Sequence, residues 1–341
     1  MIKKTFISLS SFFHFKLIKT FVNIPMVAPF YHIVTDNPPP HVKELYSAVS
    51  VKQFINDIDF LLKHYTPVTV AELQKVLLGE MQLNKPALFI SFDDGFSEVK
   101  TTVAPILKSK GVPATFFVTP SFIANNDMLY RCKLSIIMDS VRKFHGRIPI
   151  PIYLKNAWGQ KPLSQNQFRK LLFNLDYNDT EIISVLAKSF NINFSDYLQK
   201  HKPYLNLEEL KELAKTGFTI GAHSMNHPNF AKISSEMQKQ EIESSVKWVQ
   251  KNIPNQPNLF AFPFSSDGVS ESVLEFFLQK NNDSVDIMFG TSGLKLSPST
   301  KLLQRIPMEL KGNKGKQIIK GEYLYYIAKA FVGKNMINLP V

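Results

Sequence analysis

The stretch ALFISFDDGFSEV, residues 87–99, decides how this chain is read. Ala87 to Phe92 has the length and composition of a strand covered on both faces. It ends on two adjacent carboxylates, Asp93 and Asp94, followed at once by Gly95. Aspartate is depleted in strands and is rarely buried without a partner. An N-cap and turn account for one aspartate. The second calls for a partner supplied from elsewhere in the chain.

Four more runs read as buried parallel strands: VAPFYHIV (27–34), ATFFVT (114–119), FTIGAH (218–223) and LFAFPF (259–264). Helical patterns lie between them at 51–65, 97–111, 234–252 and 269–281. This alternation predicts an α/β fold built on a parallel sheet, either a barrel or a doubly wound sheet. Residues 125–204 break the rhythm, with helical patterns near 165–175 and 179–190, and are expected to form a helical insertion. Parallel α/β folds bind ligands at the C-terminal ends of their strands. That rule picks out His32, the Asp93–Asp94 pair, His223 with His227, and Phe264.

The chain has 341 residues, 44% of them hydrophobic, enough for a sizeable core. A formal charge of +12 fits a basic soluble protein or an anionic neighbour. With no run of five basic residues and no zinc-finger spacing, nucleic acid is disfavoured as a partner. Cys132 is the sole cysteine, so an intrachain disulfide is excluded.

Residues 1–24 carry Lys3, Lys4, Lys16 and Lys19 and no acidic side chain. Their apolar stretch is broken by Ser8, Ser10, Ser11 and His14, and no small-residue cleavage site follows, so no export signal is read. The default expectation is a cytoplasmic protein, at the inner membrane face if it is membrane-associated. The aromatic residues of this segment suit peripheral contact with an anionic membrane or a first helix packed on the domain, and packing is the expectation.

GAHSMNHPNF, residues 221–230, sets His223 and His227 four apart, with Pro228 turning the chain. Two imidazoles and one carboxylate form a metal set that leaves positions open. Alone, such a pair is a weak signal, because a buried histidine more often bonds to backbone. An aspartate doublet at another strand end strengthens it. One carboxylate would hold a cation and its neighbour would take a proton from water.

Phe92-Asp93-Asp94-Gly95 followed by His223-Ser224-Met225-Asn226-His227-Pro228 resembles the polysaccharide deacetylase family, the NodB-homology or carbohydrate esterase family 4 group. The resemblance covers roughly residues 25–123 and 205–310, within a catalytic domain expected over 25–341. It implies a distorted (β/α)7-type barrel. It also implies a divalent cation on Asp94, His223 and His227, with Asp93 as general base. Zinc is the expected ion, with cobalt, nickel or manganese as alternatives.

The family's third motif, Arg-x-Pro-aromatic, falls on Ala261 to Phe264; Pro263 and Phe264 are present, but Ala261 stands where the arginine belongs. Arg305, in LLQRIPMEL (302–310), is a candidate replacement, although a surface or N-cap salt bridge is its expected role on the residues alone. Phe264, Pro263 and Arg305 are grouped as the substrate-binding side of the site. GTSG (290–293) is assigned only a pocket wall.

No histidine follows His227, where the family has its general acid. A circularly permuted subgroup, similar to poly-N-acetylglucosamine deacetylases, carries that histidine on an N-terminal strand in a Tyr-His pattern. PFYHIVTD (29–36) matches it and makes His32 the candidate acid. His14, His41, His64, His145 and His201 are read as surface residues. The implied reaction removes acetyl groups from N-acetylated sugars of a glycan or glycoconjugate. A non-catalytic carbohydrate-binding protein on a decayed deacetylase fold, and an O-acetyl esterase or other amide hydrolase, stay open as alternatives.

Overall fold

A computed structural model describes residues 2–339; Met1, Pro340 and Val341, which the expected segments 1–24 and 25–341 include, lie outside them. The described strands are β1 (Met26–Val27), β2 (Pro29–Tyr31), β3 (Thr66–Pro67), β4 (Ala87–Leu88), β5 (Ser91–Phe92), β6 (Thr115–Val118), β7 (Thr219–Ala222), β8 (Leu259–Ala261), β9 (Ile287–Gly290), β10 (Leu302–Gln304) and β11 (Ile306–Pro307). A small parallel sheet has the order β1-β4-β3, and a large parallel sheet runs β10-β9-β8-β7-β6-β5-β2-β11.

The two edges of the large sheet, β10 and β11, are separated in sequence by Arg305 alone. Gln304 pairs with Gly290 on one side, and Ile306 pairs with Pro29 on the other. One bent stretch of chain therefore joins both edges and nearly closes the sheet. Counting β10 and β11 as one stave leaves the seven staves of a (β/α)7-type barrel.

Side chains alternate across a strand, and that alternation separates two cores. Leu88, Ile90 and Phe92 join the large cluster between strands and helices. Phe89 belongs to a second cluster with Phe117, Leu259, Ile287 and Phe289. Phe89 and Phe289 stack there at 4.7 Å. By the same period, Ser91 and Asp93 follow Phe89 on the inner face. VAPFYHIV, expected as one strand, divides into β1 and β2 and stops before His32. β1 pairs with the small sheet and β2 with the barrel, so the chain changes partners between them.

The helices start where the sequence caps them. Ser50 caps Val51–His64 by accepting from the Gln53 N–H, and Ser234 does the same for Ser235–Asn252 from Met237. The region 125–204 holds more helix than expected: Tyr130–Arg142, Gln165–Leu172, Thr180–Ser189 and Phe194–His201, besides shorter turns. Its residues Leu134 to Ala187 build a hydrophobic cluster of their own. At the start of the chain, Ile2–Leu9 packs along Gly315–Ala330; Lys3 pairs with Glu322, and the Ser10 hydroxyl donates to the Gln317 carbonyl at 3.3 Å. Among the described residues, no helix is long and apolar enough to cross a membrane.

Gly221 in β7 has no room for a side chain, because an added Cβ would lie 2.6 Å from the Phe117 ring and 3.2 Å from Leu259 Cβ. Gly221→Ala is expected to lower stability by about 1–3 kcal/mol through overpacking. Urea unfolding checks this, and a variant as stable as the parent would contradict the packing described.

Candidate active site

The tips of the staves bring together the residues that the sequence singled out. β5 leads into Asp93 and Asp94, β7 into His223, and β2 into His32. Asp93, Asp94, His223 and His227 are all buried, at 1%, 1%, 2% and 4% exposure. Asp94 Oδ1 lies 3.6 Å from His223 Nε2 and 3.3 Å from His227 Nε2. One ligand-type atom from each of the three falls within 4.8 Å of the others.

The segment holding the two histidines is a tight loop. Ser224 and His227 have left-handed backbones, φ 62° and 56°. The Ser224 hydroxyl oxygen accepts from the His227 N–H at 3.0 Å. Glu241 accepts from the Met225 and Asn226 N–H groups and from the Asn226 amide, at 2.7, 3.0 and 2.7 Å. Those bonds pin the loop between its two imidazoles. His223 Nδ1 lies 2.8 Å from the Ala261 carbonyl. A carbonyl only accepts, so Nδ1 carries the hydrogen and the Nε2 lone pair is directed toward Asp94.

The electrostatics suit a cation. Burial lowers His223 to about 4, so its imidazole is neutral at pH 7. Burial opposes ionisation of Asp94, and the adjacent His227 overcomes it, holding the carboxyl well below its usual range. Asp94 Oδ1 is nonetheless buried without a hydrogen-bond partner. The neutral His223 imidazole, the His227 ring beside it, an ionised carboxylate and an orphaned buried oxygen form a donor set that a divalent metal would satisfy. Asp94 Oδ2 is held separately by the Tyr46 hydroxyl at 2.8 Å.

Asp93 has a different partner. Arg305 donates to both of its carboxylate oxygens, at 2.6 and 2.9 Å. The same guanidinium donates to the Ser91 hydroxyl at 3.0 Å and to the Gly290 carbonyl at 3.4 Å. It lies 4.4 Å from the Phe30 ring centroid and 5.2 Å from that of Phe117. Burial works against the charge on Asp93, and the Arg305 guanidinium outweighs it, lowering the carboxyl from its usual value.

This corrects two expectations. Arg305 is no surface or N-cap residue: it is 0% exposed, because the bend between β10 and β11 turns it into the barrel. For the same reason it offers no surface to a ligand, so it belongs with Asp93 and not with substrate-binding groups. Pro263 is buried too, while Phe264 is half-buried, with its ring 4.9 Å from that of His227. GTSG does more than line a wall, since Gly290 accepts from Arg305 and the Thr291 hydroxyl donates to the Phe264 carbonyl at 2.8 Å.

His32 sits against a residue that the sequence reading passed over. Its Nδ1 lies 2.5 Å from Glu309, whose other oxygen accepts from the His32 and Ile33 N–H groups at 3.0 and 2.8 Å. The ring stacks on Tyr46 at 4.1 Å, which in turn bonds Asp94. Burial lowers the imidazole pKa, but the charge and hydrogen bond of Glu309, then the charges of Asp94 and Asp93, raise it to about 9. Neither Glu309, which lies within LLQRIPMEL, nor Tyr46 or Glu241 stands in a motif that would have marked it. His41, expected at the surface, is 3% exposed, with Nδ1 3.0 Å from the Tyr197 hydroxyl. The apolar surroundings of Phe96 and Tyr197 enclose it.

Comparison with known proteins follows this geometry. Over residues 80–145 and 170–279, more than half of the chain, it matches the family model described as polysaccharide deacetylase. A curated relative, the uncharacterized protein YlxY of Bacillus subtilis (strain 168), is 24% identical over 162 residues, 47% of this chain and 46% of that protein. The chain thus aligns with less than half the length of that relative. Among solved structures, the Streptococcus pyogenes deacetylase PplD in complex with acetate has a TM-score of 0.53 at 14% identity, covering 88% of this chain and 99% of that one. IcaB from Ammonifex degensii also gives 0.53 at 14%, covering 88% and 98%. A polysaccharide deacetylase from Bacillus cereus gives 0.52 at 13%, covering 87% and 68%. At these identities the likeness to the solved structures is one of fold.

Arg305→Met would leave Asp93 buried without its counter-charge. A loss of about 3–5 kcal/mol is expected, with part of it restored in Asp93→Asn/Arg305→Met. Urea unfolding of the single and double variants checks it; additive losses would show that the two side chains are not coupled.

Proposed function

Since the chain belongs to the polysaccharide deacetylase family, we propose that it is a metal-dependent hydrolase that removes acetyl groups from N-acetylated sugars of a glycan or glycoconjugate. The observation that carries this reading is the convergence of Asp94, His223 and His227 beside an Asp93 held ionised by Arg305. A divalent cation on those three residues, zinc in the first instance, would supply Lewis acidity, polarising a carbonyl and making water nucleophilic near neutral pH.

The chain's own groups account for the proton movements. Asp93, charged and fixed by two bonds, takes a proton from the water that adds to the acetamide carbonyl. A backbone N–H at the Phe264 turn is assigned to the oxyanion; a donor of this kind is typically worth about 3 kcal/mol. The C–N bond then breaks. His32 gives its proton to the departing amine from Nε2, because Nδ1 is occupied by Glu309. Acetate and a free amino sugar result. Phe264, half-buried beside His227, is assigned to packing against the sugar.

The carbohydrate-binding alternative drew its support from the missing arginine at Ala261. Arg305 fills that role on Asp93 from another strand, which removes the support. A binder also has no use for an imidazolium held by Glu309.

Two experiments test the proposal. The zinc-, cobalt- or nickel-loaded protein should release acetate from an N-acetylated chitooligosaccharide, and Asp94→Ala should lose both bound metal and turnover, by elemental analysis and acetate assay. Full turnover in that variant would refute the metal assignment, and metal without acetate release would favour the binder.

The second experiment uses pH. A group raised to about 9 stays protonated below that pH and is lost as an acid above it, so the rate should fall through an alkaline limb near that value. Glu309→Gln should move the limb down toward the ordinary imidazole value of 6.5. His32→Gln should lower kcat by about 10²–10⁴-fold. An alkaline limb unmoved by Glu309→Gln would remove His32 from the role of acid.

A further inference from the structure

Residues 3–22 spend one face on the domain and leave the other bare. Ile7, Phe15, Ile18 and Val22 are buried. Phe15 packs against Phe60, His64 and Tyr323, with ring centroids 5.3, 4.8 and 5.2 Å away. The opposite face exposes Leu9, Phe12, Phe13, Leu17 and Phe21, at 43%, 83%, 44%, 58% and 72%. Single exposed apolar residues are ordinary, but five large ones within 13 positions form a patch of the kind that marks an interaction site.

The segment itself carries charge of one sign, although Glu322 pairs with its Lys3 and Asp59 is exposed on the neighbouring helix. No Asp or Glu occurs before Asp36, and Lys4 and Lys16 are exposed. The Lys19 ammonium donates to the His64 carbonyl at 2.8 Å. Burial lowers His64, and the charges of Lys19, Lys63, Lys85 and Lys316 add to that, beside the ring on which Phe15 packs. Asp57, on the helix beneath, is buried and bonded to Gln53 and to the Gly315 N–H, and does not offset them at the surface.

We propose that this face docks on an anionic lipid surface, with Phe12, Phe13 and Phe21 in the headgroup–acyl boundary and the lysines against lipid phosphates. Exposed aromatics beside exposed lysines, here Lys4 and Lys16, are the chemistry of an interfacial helix, whereas the core of a protein–protein interface is depleted in lysine. The two helices, Ile2–Leu9 and Phe15–Thr20, are far too short to span a bilayer, so the segment lies on the surface. The proposal is independent of the deacetylase reading, because no residue of this face contributes to the site.

The test is sedimentation of the full-length protein with vesicles of phosphatidylcholine alone, or with about one-third phosphatidylglycerol. Binding to the anionic vesicles should exceed binding to the neutral ones by about tenfold or more, and should fall with added salt. Phe12→Ser/Phe21→Ser should cut it by about tenfold or more, and Lys16→Glu should weaken it, while turnover of a soluble aryl acetate stays unchanged. No pelleting on anionic vesicles overturns the proposal, as does equal pelleting of parent and double-serine variant. A parent protein that is dimeric, becomes monomeric in the double-serine variant and ignores vesicles would assign the face to a second copy of the chain.

Discussion

The bidentate contact between Arg305 and Asp93 is the constraint on which the rest of this site depends. Arg305 is the one residue between two half-strands that pair with opposite edges of the barrel. Joining the edges and turning this side chain inward are therefore the same structural event. A buried ion pair is stabilising only when hydrogen bonds replace the lost hydration. Here the guanidinium bonds to Asp93, Ser91 and Gly290 and lies over Phe30 and Phe117. The carboxylate stays ionised because its counter-charge is built into the barrel wall.

The second constraint is backbone strain at the strand tips. Asp94, Ser224, His227 and Phe264 all adopt left-handed conformations, with φ between 56° and 71°. For residues other than glycine this costs about 1–3 kcal/mol each and persists only where surrounding bonds over-determine it. Those bonds are visible: Tyr46 holds Asp94, Glu241 holds the histidine loop, and Thr291 holds the Phe264 carbonyl. The strain recurs in three separate turns at this end of the barrel and is supported in each.

His32 and Glu309 meet because β2 and β11 pair. Residues 277 positions apart in sequence are thereby set at adjacent tips, next to the Asp93–Asp94 turn of β5. The order of the strands, more than any local motif, puts a proton-bearing imidazole beside an ionised carboxylate pair. The helical region within 125–204 has its own hydrophobic cluster, and its Met128, Leu129, Cys132, Ile136 and Leu198 also pack with Ile33, Val42 and Phe96 beside the strand tips.

The sequence alone was enough for the α/β class and for the barrel implied by its resemblance, and it singled out Asp93, Asp94, His223, His227 and His32, which the fold brings to neighbouring strand tips. Those residues stand in short patterns at the ends of apolar runs, where strand period and turn chemistry are local properties. Arg305 was misjudged because its surroundings depend on which two strands flank it, and Ala261 gave no hint that an arginine from a distant segment bonds Asp93. Glu309, Tyr46 and Glu241 belong to no pattern, since each acts on a neighbour brought close only by folding. Likewise, the sequence showed that the first 24 residues were basic and aromatic, but only packing decided which of their side chains are buried and which face outward. Local chemistry is written in neighbouring residues; partners across a barrel exist only once the chain has joined its edges.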